Sequence, residues 1–267
     1  MEFLTPVLIV TVIGILSGLI LALASKFMAV KVDERFDKVR ECLPGANCGA
    51  CGFAGCDAYA NALLKGETPT NLCTPGGADT AKALSCVLGV ECEEVVPQYA
   101  VVKCNGCTQN TQKLVDFVGA KTCKAAAMYY GGDGTCAYSC LGYGDCEKAC
   151  PYDAIHIIDG VAKVDKLNCI GCGICAKTCP KSIINIIPTA NNIAVTCSSK
   201  AKGAVTRKVC SVGCIGCKKC EKACPNGAIT VNDNLAYIDP SKCTNCGLCM
   251  AECPVKAINI VGCTKNN

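Results

Sequence analysis

Small α+β domains with little apolar core, preceded by one N-terminal transmembrane helix, are predicted by three features of the sequence. The 267 residues include 29 Cys but no Trp, one His and 5% aromatic side chains, so an ordinary core of this size lacks its bulky members. Cysteines recur at a fixed offset. Cys150, Cys169, Cys172, Cys175 and Cys179 have counterparts 74 positions later at Cys224, Cys243, Cys246, Cys249 and Cys253, and Pro151 and Pro180 are matched by Pro225 and Pro254. Finally, no residue from Phe3 to Ser25 is charged.

The duplication is wider than these cysteines. Thr122-Cys123 returns as Thr196-Cys197, Cys136, Cys140 and Cys146 return as Cys210, Cys214 and Cys220, and Ala154-Ile155 returns as Ala228-Ile229. The repeat units therefore cover about 120–187 and 194–261. Each carries a predicted hairpin: Ile155 to Ile158 and Val161 to Val164 joined at Asp159-Gly160, and Ile229 to Val231 and Ala236 to Ile238 joined at Asn232-Asp233-Asn234.

The spacing of the cysteines specifies the chemistry. In the two-cluster ferredoxin pattern, C-x2-C-x2-C holds three irons of one cubane, while the fourth cysteine, followed by proline, ligates the neighbouring cluster. The second repeat matches throughout: Cys214, Cys217, Cys220 and Cys253 form one [4Fe-4S] site, and Cys224, Cys243, Cys246 and Cys249 the other. In the first repeat Tyr143 stands where Cys217 aligns. The expected sets there are Cys136, Cys140, Cys146 and Cys179, and Cys150, Cys169, Cys172 and Cys175. Zinc sites also use C-x2-C pairs, but thiolates spaced three apart in a run crowd a tetrahedral ion. Disulfides suit small secreted domains rather than a chain facing a reducing compartment.

A further motif precedes the repeats. Cys48-x2-Cys51-x4-Cys56, interleaved with glycines and followed by Cys73, is a site for a single [4Fe-4S] cluster. Helices are expected from Cys56 to Lys65 and from about Asp79 to Leu88, with Thr74-Pro75-Gly76-Gly77 as a turn between them and Glu91 to Gln98 as a linker.

Five sites use 20 cysteines. Cys42, Cys86, Cys92, Cys104, Cys107, Cys123, Cys197, Cys210 and Cys263 remain. Cys104-x2-Cys107 followed by Cys123 has the form of three further ligands, with Cys197 and Cys210 as additional candidates, so up to seven [4Fe-4S] clusters fit the cysteine count. Iron content discriminates: ~20 Fe per chain for five clusters, ~28 for seven. Because clusters take the place of a core, the metal-free chain is expected to be largely unfolded.

The composition excludes several classes. A net charge of +4 is small for a nucleic-acid binder. No strand is followed by G-x-G-x-x-G, so no dinucleotide or flavin fold is expected; there is also no P-loop and no H-E-x-x-H. His156, on the first hairpin, is a surface or packing residue, since a lone His supports neither a Rieske nor a c-type haem site. What remains is one-electron transfer, with no catalytic acid, base or nucleophile. Lys200, Lys202, Arg207, Lys208, Lys218, Lys219 and Lys222, against Glu221 alone, form either a docking face for an acidic electron donor or compensation for negatively charged clusters.

The uncharged run at the head of the chain, about 22 residues at ~1.5 Å each, reaches ~33 Å, enough for a ~30 Å hydrocarbon core. A cleaved signal peptide competes through Ala22-Leu23-Ala24, but no basic residue precedes the run. Lys26, Lys31, Arg35, Lys38 and Arg40 all follow it, which places the rest of the chain in the cytoplasm. Gly14 and Gly18 form a G-x-x-x-G that favours packing against membrane partner subunits.

An N-terminal membrane helix, then Glu41-Cys42-Leu-Pro44-Gly45-Ala-Asn-Cys48-Gly-Ala-Cys51-Gly-Phe-Ala-Gly-Cys56, then ferredoxin repeats, resembles the B subunit of the Rnf complex over essentially the whole chain. The resemblance implies a membrane-bound, Na+- or H+-exporting ferredoxin:NAD+ oxidoreductase. The B subunit would take electrons from soluble ferredoxin and pass them to membrane and flavin-bearing partner subunits. The second repeat and the Cys104 to Cys123 insertion depart from simpler members. A polyferredoxin-like subunit of a membrane hydrogenase or formate dehydrogenase, and a non-redox scaffold with structural metals, are the alternatives. The expected organisation is a transmembrane anchor over 1–26, a single-cluster domain over 27–97, and ferredoxin-like domains over 98–188, with the cysteine-bearing insertion at its head, and 189–267.

Overall fold

The computed structural model describes residues 4–27 and 33–262, with side chains described for 7–23 and 33–262. Glu2, Lys31 and Cys263 lie outside the described residues, as does the side chain of Lys26. Helix α1 (Leu4–Phe27) is 24 residues long, about 36 Å at the helical rise. All of its described side chains are exposed. Among the described residues, which for α1 means side chains 7–23 only, no helix is long and apolar enough to cross a membrane.

Three short helices follow: α2 (Phe36–Glu41), α3 (Cys56–Leu64) and α4 (Gly77–Leu88). Val39, Leu43, Tyr59, Leu63 and Leu84 bury together with Cys73 as a small core. Tyr59 ties the intervening loops to it: its hydroxyl donates to Pro69 O (2.8 Å), and its ring packs on Phe53 at 5.3 Å. The expected helices at 56–65 and 79–88 are both present, the second starting two residues early at Gly77.

The remainder is two ferredoxin-like units. In the first, β1 (Gln98–Val102) pairs antiparallel with β4 (Ile184–Pro188), and the hairpin β2 (Ile155–Ile158) and β3 (Val161–Val164) lies between them in sequence. In the second, β5 (Ile193–Val195) pairs with β8 (Ile258–Ile260) around the hairpin β6 (Ile229–Asn232) and β7 (Leu235–Ile238). Short helices α5 (Cys123–Met128), α6 (Asp145–Lys148) and α7 (Ile174–Thr178) belong to the first unit; α8 (Gly203–Val209), α9 (Lys219–Ala223) and α10 (Leu248–Ala251) belong to the second.

Both expected hairpins are found, closed by two-residue turns at Asp159-Gly160 and Asp233-Asn234, all four residues at positive φ. This is the turn type that matches strand twist. Asn232 is the last residue of β6 rather than part of the turn. The paired outer strands have no counterpart in the sequence-based expectations.

Two glycines set where each cluster loop meets its hairpin. Gly142 and Gly216, 74 positions apart, both have positive φ. A Cβ would lie 2.5 Å from Gly160 O at the first and 2.8 Å from Asn234 Cα at the second. Only glycine fits such a backbone-to-backbone approach at that φ.

Candidate metal centres

The cysteines gather in groups, three of which line cavities. Cys48, Cys51, Cys56 and Cys73 line one of them together with Asn47 and Tyr59. Asn47 fixes the loop there, its Oδ1 accepting from the N–H of Cys56 at 2.8 Å. These are the four residues expected for the single-cluster site.

In the first ferredoxin-like unit, Cys150, Cys169, Cys172 and Cys175 lie close together. Burial pushes the Cys175 thiol up to about 12, and the neighbouring Cys169, Cys172 and Cys150 add to it. The N–H of Ala154 donates to Cys150 Sγ (3.5 Å) and that of Ala100 to Cys169 Sγ (3.3 Å). Such donors stabilise thiolate sulfur.

The other cavity of that unit differs from the expected one. It is lined by Cys123, Cys140, Cys146 and Cys179, and burial, then Cys140, Cys123 and Cys179, push the Cys146 thiol up to about 12. Cys136, expected in this set, is not on the cavity; Cys123 is there instead. The reason lies with Tyr143, which leaves the C-x2-C-x2-C run without its middle thiol. Its hydroxyl donates to Asp133 Oδ2 (2.7 Å), which also pairs with Lys113 Nζ (2.8 Å). Burial pushes the Asp133 carboxyl up, but these two hydrogen bonds outweigh it and hold the group below its ordinary value. The insertion is thereby pinned against the loop, and α5 delivers Cys123 to the cavity. The Thr122 hydroxyl caps that helix, accepting from Ala125 N at 3.1 Å.

In the second unit the C-x2-C-x2-C set holds together. Burial pushes the Cys220 thiol up to about 11, with Cys214, Cys253 and Cys217 adding to it, and the N–H of Ala257 donates to Cys253 Sγ (3.3 Å). Burial, then Cys243 and Cys246, raise the Cys249 thiol. Cys224 Sγ accepts from Ala228 N (3.3 Å), as Cys150 does from Ala154 at the equivalent place. Cys217 and Cys246 are exposed.

Of the additional candidates, Cys123 lines the first unit's cavity as described. Cys104, Cys197 and Cys210, with Cys136 from the set expected in the first unit, line a separate cavity between the two units. Cys107 lies beside it, its Sγ accepting from Asn110 Nδ2 (3.1 Å). His156 faces Glu147 (3.5 Å) and Asp153 (3.7 Å) and packs on the hairpin, apart from the thiols.

Among the described residues no three Cys, His, Asp or Glu side chains converge to hold a single ion. A tetrahedral zinc draws its sulfurs to within about 3.8 Å of one another. Three of the groups line cavities, which a polynuclear cluster could fill, and backbone N–H groups are directed at the sulfurs of several sets.

The 48–73 site and the two sites of the first unit adjoin one another. Lys177 Nζ in α7 donates to Gly49 O (2.8 Å), and burial, then Cys172, Cys48 and Cys150, raise the Tyr152 hydroxyl. The 48–73 site therefore abuts the first unit at Tyr152. Cys146 and Cys175 lie close enough to influence each other, which links the two sites of that unit.

Comparison with known proteins agrees with this architecture. A family described as an Fe-S cluster matches residues 43–75, and families described as 4Fe-4S dicluster domains match 168–229 and 213–257. The 168–229 match takes one motif from each unit. The B subunit of a Na(+)-translocating ferredoxin:NAD(+) oxidoreductase complex from Acetobacterium woodii is 42% identical over 96% of this chain and 77% of its own length. The B subunit of a proton-translocating ferredoxin:NAD(+) oxidoreductase complex from Clostridium ljungdahlii is 43% identical over 95% of this chain and 90% of its own. The B subunit of an ion-translocating oxidoreductase complex from Methanosarcina acetivorans is 41% identical over 93% and 94%. The domains hold [4Fe-4S] clusters, and with such identity along nearly its whole length the chain belongs to the B subunits of the Rnf-type ion-translocating ferredoxin:NAD+ oxidoreductases.

Proposed function

We propose that this chain receives electrons from reduced ferredoxin and relays them, one at a time, along its clusters to membrane-bound and flavin-bearing partner subunits of an ion-translocating oxidoreductase. The observation that carries this is the grouping of the motif cysteines in fours, around cavities at the 48–73 site and in the first unit and close enough to raise one another's thiols at the other motifs. Bound clusters supply reversible one-electron chemistry. The chain's own residues hold them in order, donate backbone hydrogen bonds to their thiolates and exclude water from all but the exposed ligands.

The ligand sets we infer are Cys48, Cys51, Cys56 and Cys73; Cys150, Cys169, Cys172 and Cys175; Cys123, Cys140, Cys146 and Cys179; Cys214, Cys217, Cys220 and Cys253; and Cys224, Cys243, Cys246 and Cys249. The division into 1–26, 27–97, 98–188 and 189–267 is supported by the closure of β1 on β4 and of β5 on β8.

Ferredoxin docks at the second unit in this scheme. All seven basic residues from Lys200 to Lys222 are exposed. Lys218 and Lys219 directly follow the exposed Cys217, so an acidic donor is steered to a ligand near the surface. Reversing charge at Lys218, Lys219 and Lys222 together should slow reduction by ferredoxin at least about tenfold at low ionic strength. An unchanged rate there would remove the docking site.

Residues 1–26 serve as a single-pass anchor with the cluster domains in the cytoplasm. The reading is supported by the length of α1, the lack of charge from Phe3 to Ser25 and the basic residues from Lys26 onward. The face bearing Gly14 and Gly18, where a Cβ would meet nothing within 4 Å, is free to receive a helix of a partner subunit. Removing 1–26 should release the chain from membranes without loss of iron. A truncated chain that still sediments with membranes, in the absence of partner subunits, would refute the anchor.

A further inference from the structure

The cavity between the two ferredoxin-like units carries a site that the five-cluster scheme leaves out. It is lined by Cys104 and Cys136 of the first unit and by Cys197 and Cys210 of the second. We propose that these four thiols ligate a sixth [4Fe-4S] cluster, shared by the two units and standing between their other centres.

The two halves of the site correspond. Cys104 lies two residues after β1 and Cys197 two residues after β5, and both are 8% exposed. Cys104 Sγ accepts from the N–H of Gly106 (3.4 Å) and of Cys140 (3.4 Å). Cys197 Sγ accepts from the N–H of Ser199 (3.4 Å) and of Cys214 (3.3 Å). Cys136 and Cys210 each come four residues before the cysteine that supplies that second donor. Two buried sulfurs and two half-buried ones thus approach from opposite sides, the buried ones each with two backbone donors, as thiolate ligands require. A point one Cβ from Gly106 lies 3.5 Å from Cys104 Sγ and 3.8 Å from Cys210 Sγ, so thiols from different units border the same space.

The cavity lining carries no charged side chain, the half-buried Lys103 lies near Cys197, and hydrogen bonds order the interface around them. Thr111 Oγ1 donates to Val209 O (2.8 Å), Ser198 Oγ to Lys103 O (2.8 Å), and Ser211 N to Asn110 O (3.0 Å). Thr111 and Cys210 form an antiparallel bridge. These contacts hold the four cysteines in place across the interface.

Position gives the site its role. Cys140 belongs to the neighbouring set of the first unit and Cys214 to that of the second, and the backbone of each donates directly to a ligand of the proposed centre. An electron passing between units oxidises one cluster and reduces the next by one, with no bond made or broken. On assembly, each of the four thiols gives up its proton to ligate iron.

The test is counting on the full chain, purified anaerobically in detergent, and it does not depend on ferredoxin activity. Iron and acid-labile sulfide should each reach about 24 per chain under four-iron stoichiometry, and native mass spectrometry should count six cubanes. The pair Cys136→Ser and Cys210→Ser should remove about four of each and leave the other centres, while Cys107→Ser should remove none. Twenty iron atoms in the unaltered chain, or loss through Cys107→Ser with none through the pair, would overturn the site. Should the pair fail to fold, the count on the unaltered chain decides alone.

Discussion

Replacing Cys123 and then moving its thiol to position 143 tests the ligand set that distinguishes the first unit from the second. Cys123 is 8% exposed and lines the cavity with Cys140, Cys146 and Cys179, so Cys123→Ser should cost one cubane, about four iron and four sulfide. Tyr143 occupies the position equivalent to Cys217, and Tyr143→Cys regenerates the C-x2-C-x2-C run. The Tyr143 hydroxyl donates to Asp133, whose side chain is 4% exposed and keeps Lys113 as its other partner. Losing a hydrogen bond to a charged acceptor costs about 1.5–3 kcal/mol, and the edge contact with Phe117 at 5.9 Å adds about 0.5–1.5 kcal/mol. Tyr143→Cys alone should therefore loosen the insertion by about 2–4.5 kcal/mol with cluster content intact. Combined with Cys123→Ser, it should restore the four irons. Iron analysis and the electron paramagnetic spectrum of the reduced protein read both changes. Full iron in Cys123→Ser, with the same centre lost in Cys136→Ser, would refute the assignment.

Other expectations follow from the same geometry. Gly142→Ala and Gly216→Ala should each destabilise the cluster-bound unit by about 2–5 kcal/mol, from left-handed backbone strain and overpacking against the hairpin turn; an unchanged melting temperature would contradict the close approach. Burial pushes the Cys104 and Cys220 thiols up to about 11 and those of Cys146 and Cys175 to about 12 in the fold, and an exposed thiol lies at about 8.5, so without iron, folded or unfolded, they are protonated at neutral pH. Loading then releases protons, and resistance to chelators should weaken as pH falls from 8 to 6, about tenfold per pH unit for each proton taken up; pH-independent retention would refute this. Complete removal of iron should abolish most of the circular dichroism of residues 33–262, since cysteines sit within every buried cluster of side chains; a native-like spectrum would show that the apolar residues suffice.

Local features were legible in the sequence, and non-local ones were not. The hairpins at 155–164 and 229–238 could be placed because their turn residues and alternating apolar positions lie side by side. The strand Gln98–Val102 is buried along four of its five residues, so it has no alternation, and it pairs with Ile184–Pro188 more than 80 positions away. The C-x2-C-x2-C runs were readable from spacing alone. Cys123 was not, because the 74-residue offset equates it with Cys197, whereas strand position and hydrogen bonding equate Cys197 with Cys104. The insertion between Lys103 and Thr135 separates Cys104 from Cys123: Cys123 lines the cavity with Cys140, Cys146 and Cys179, and Cys104 lines the one with Cys197. In the proposed ligand sets Cys123 thus fills the place left by Tyr143, and Cys104 the one spacing had given to Cys123. The aromatic and acidic residues around Asp133 were the available signal, since an insertion that buries a carboxylate must have a fixed position.

Tandem duplication of a two-cluster unit does not by itself make a longer conductor, because independent units on a flexible tether would hold their centres at fluctuating distances. Here β4 ends at Pro188 and β5 begins at Ile193, leaving four residues between the units, and both sides hold that connection. Tyr99 Oη donates to Asn191 O (2.8 Å) and Lys166 Nζ to Thr189 O (2.7 Å) from the first unit; Asn191 Nδ2 donates to Pro240 O (3.1 Å) in the second. The rigid join and the four-cysteine cavity then serve one end. If the cavity holds a cluster, the join fixes its distance to the centres on either side, and cutting the Asn191 bond should change transfer between units before it changes iron content. Asn191→Ala should slow reduction of the first unit through the second while leaving about 24 irons in place, a combination that a purely structural role for the connection does not produce.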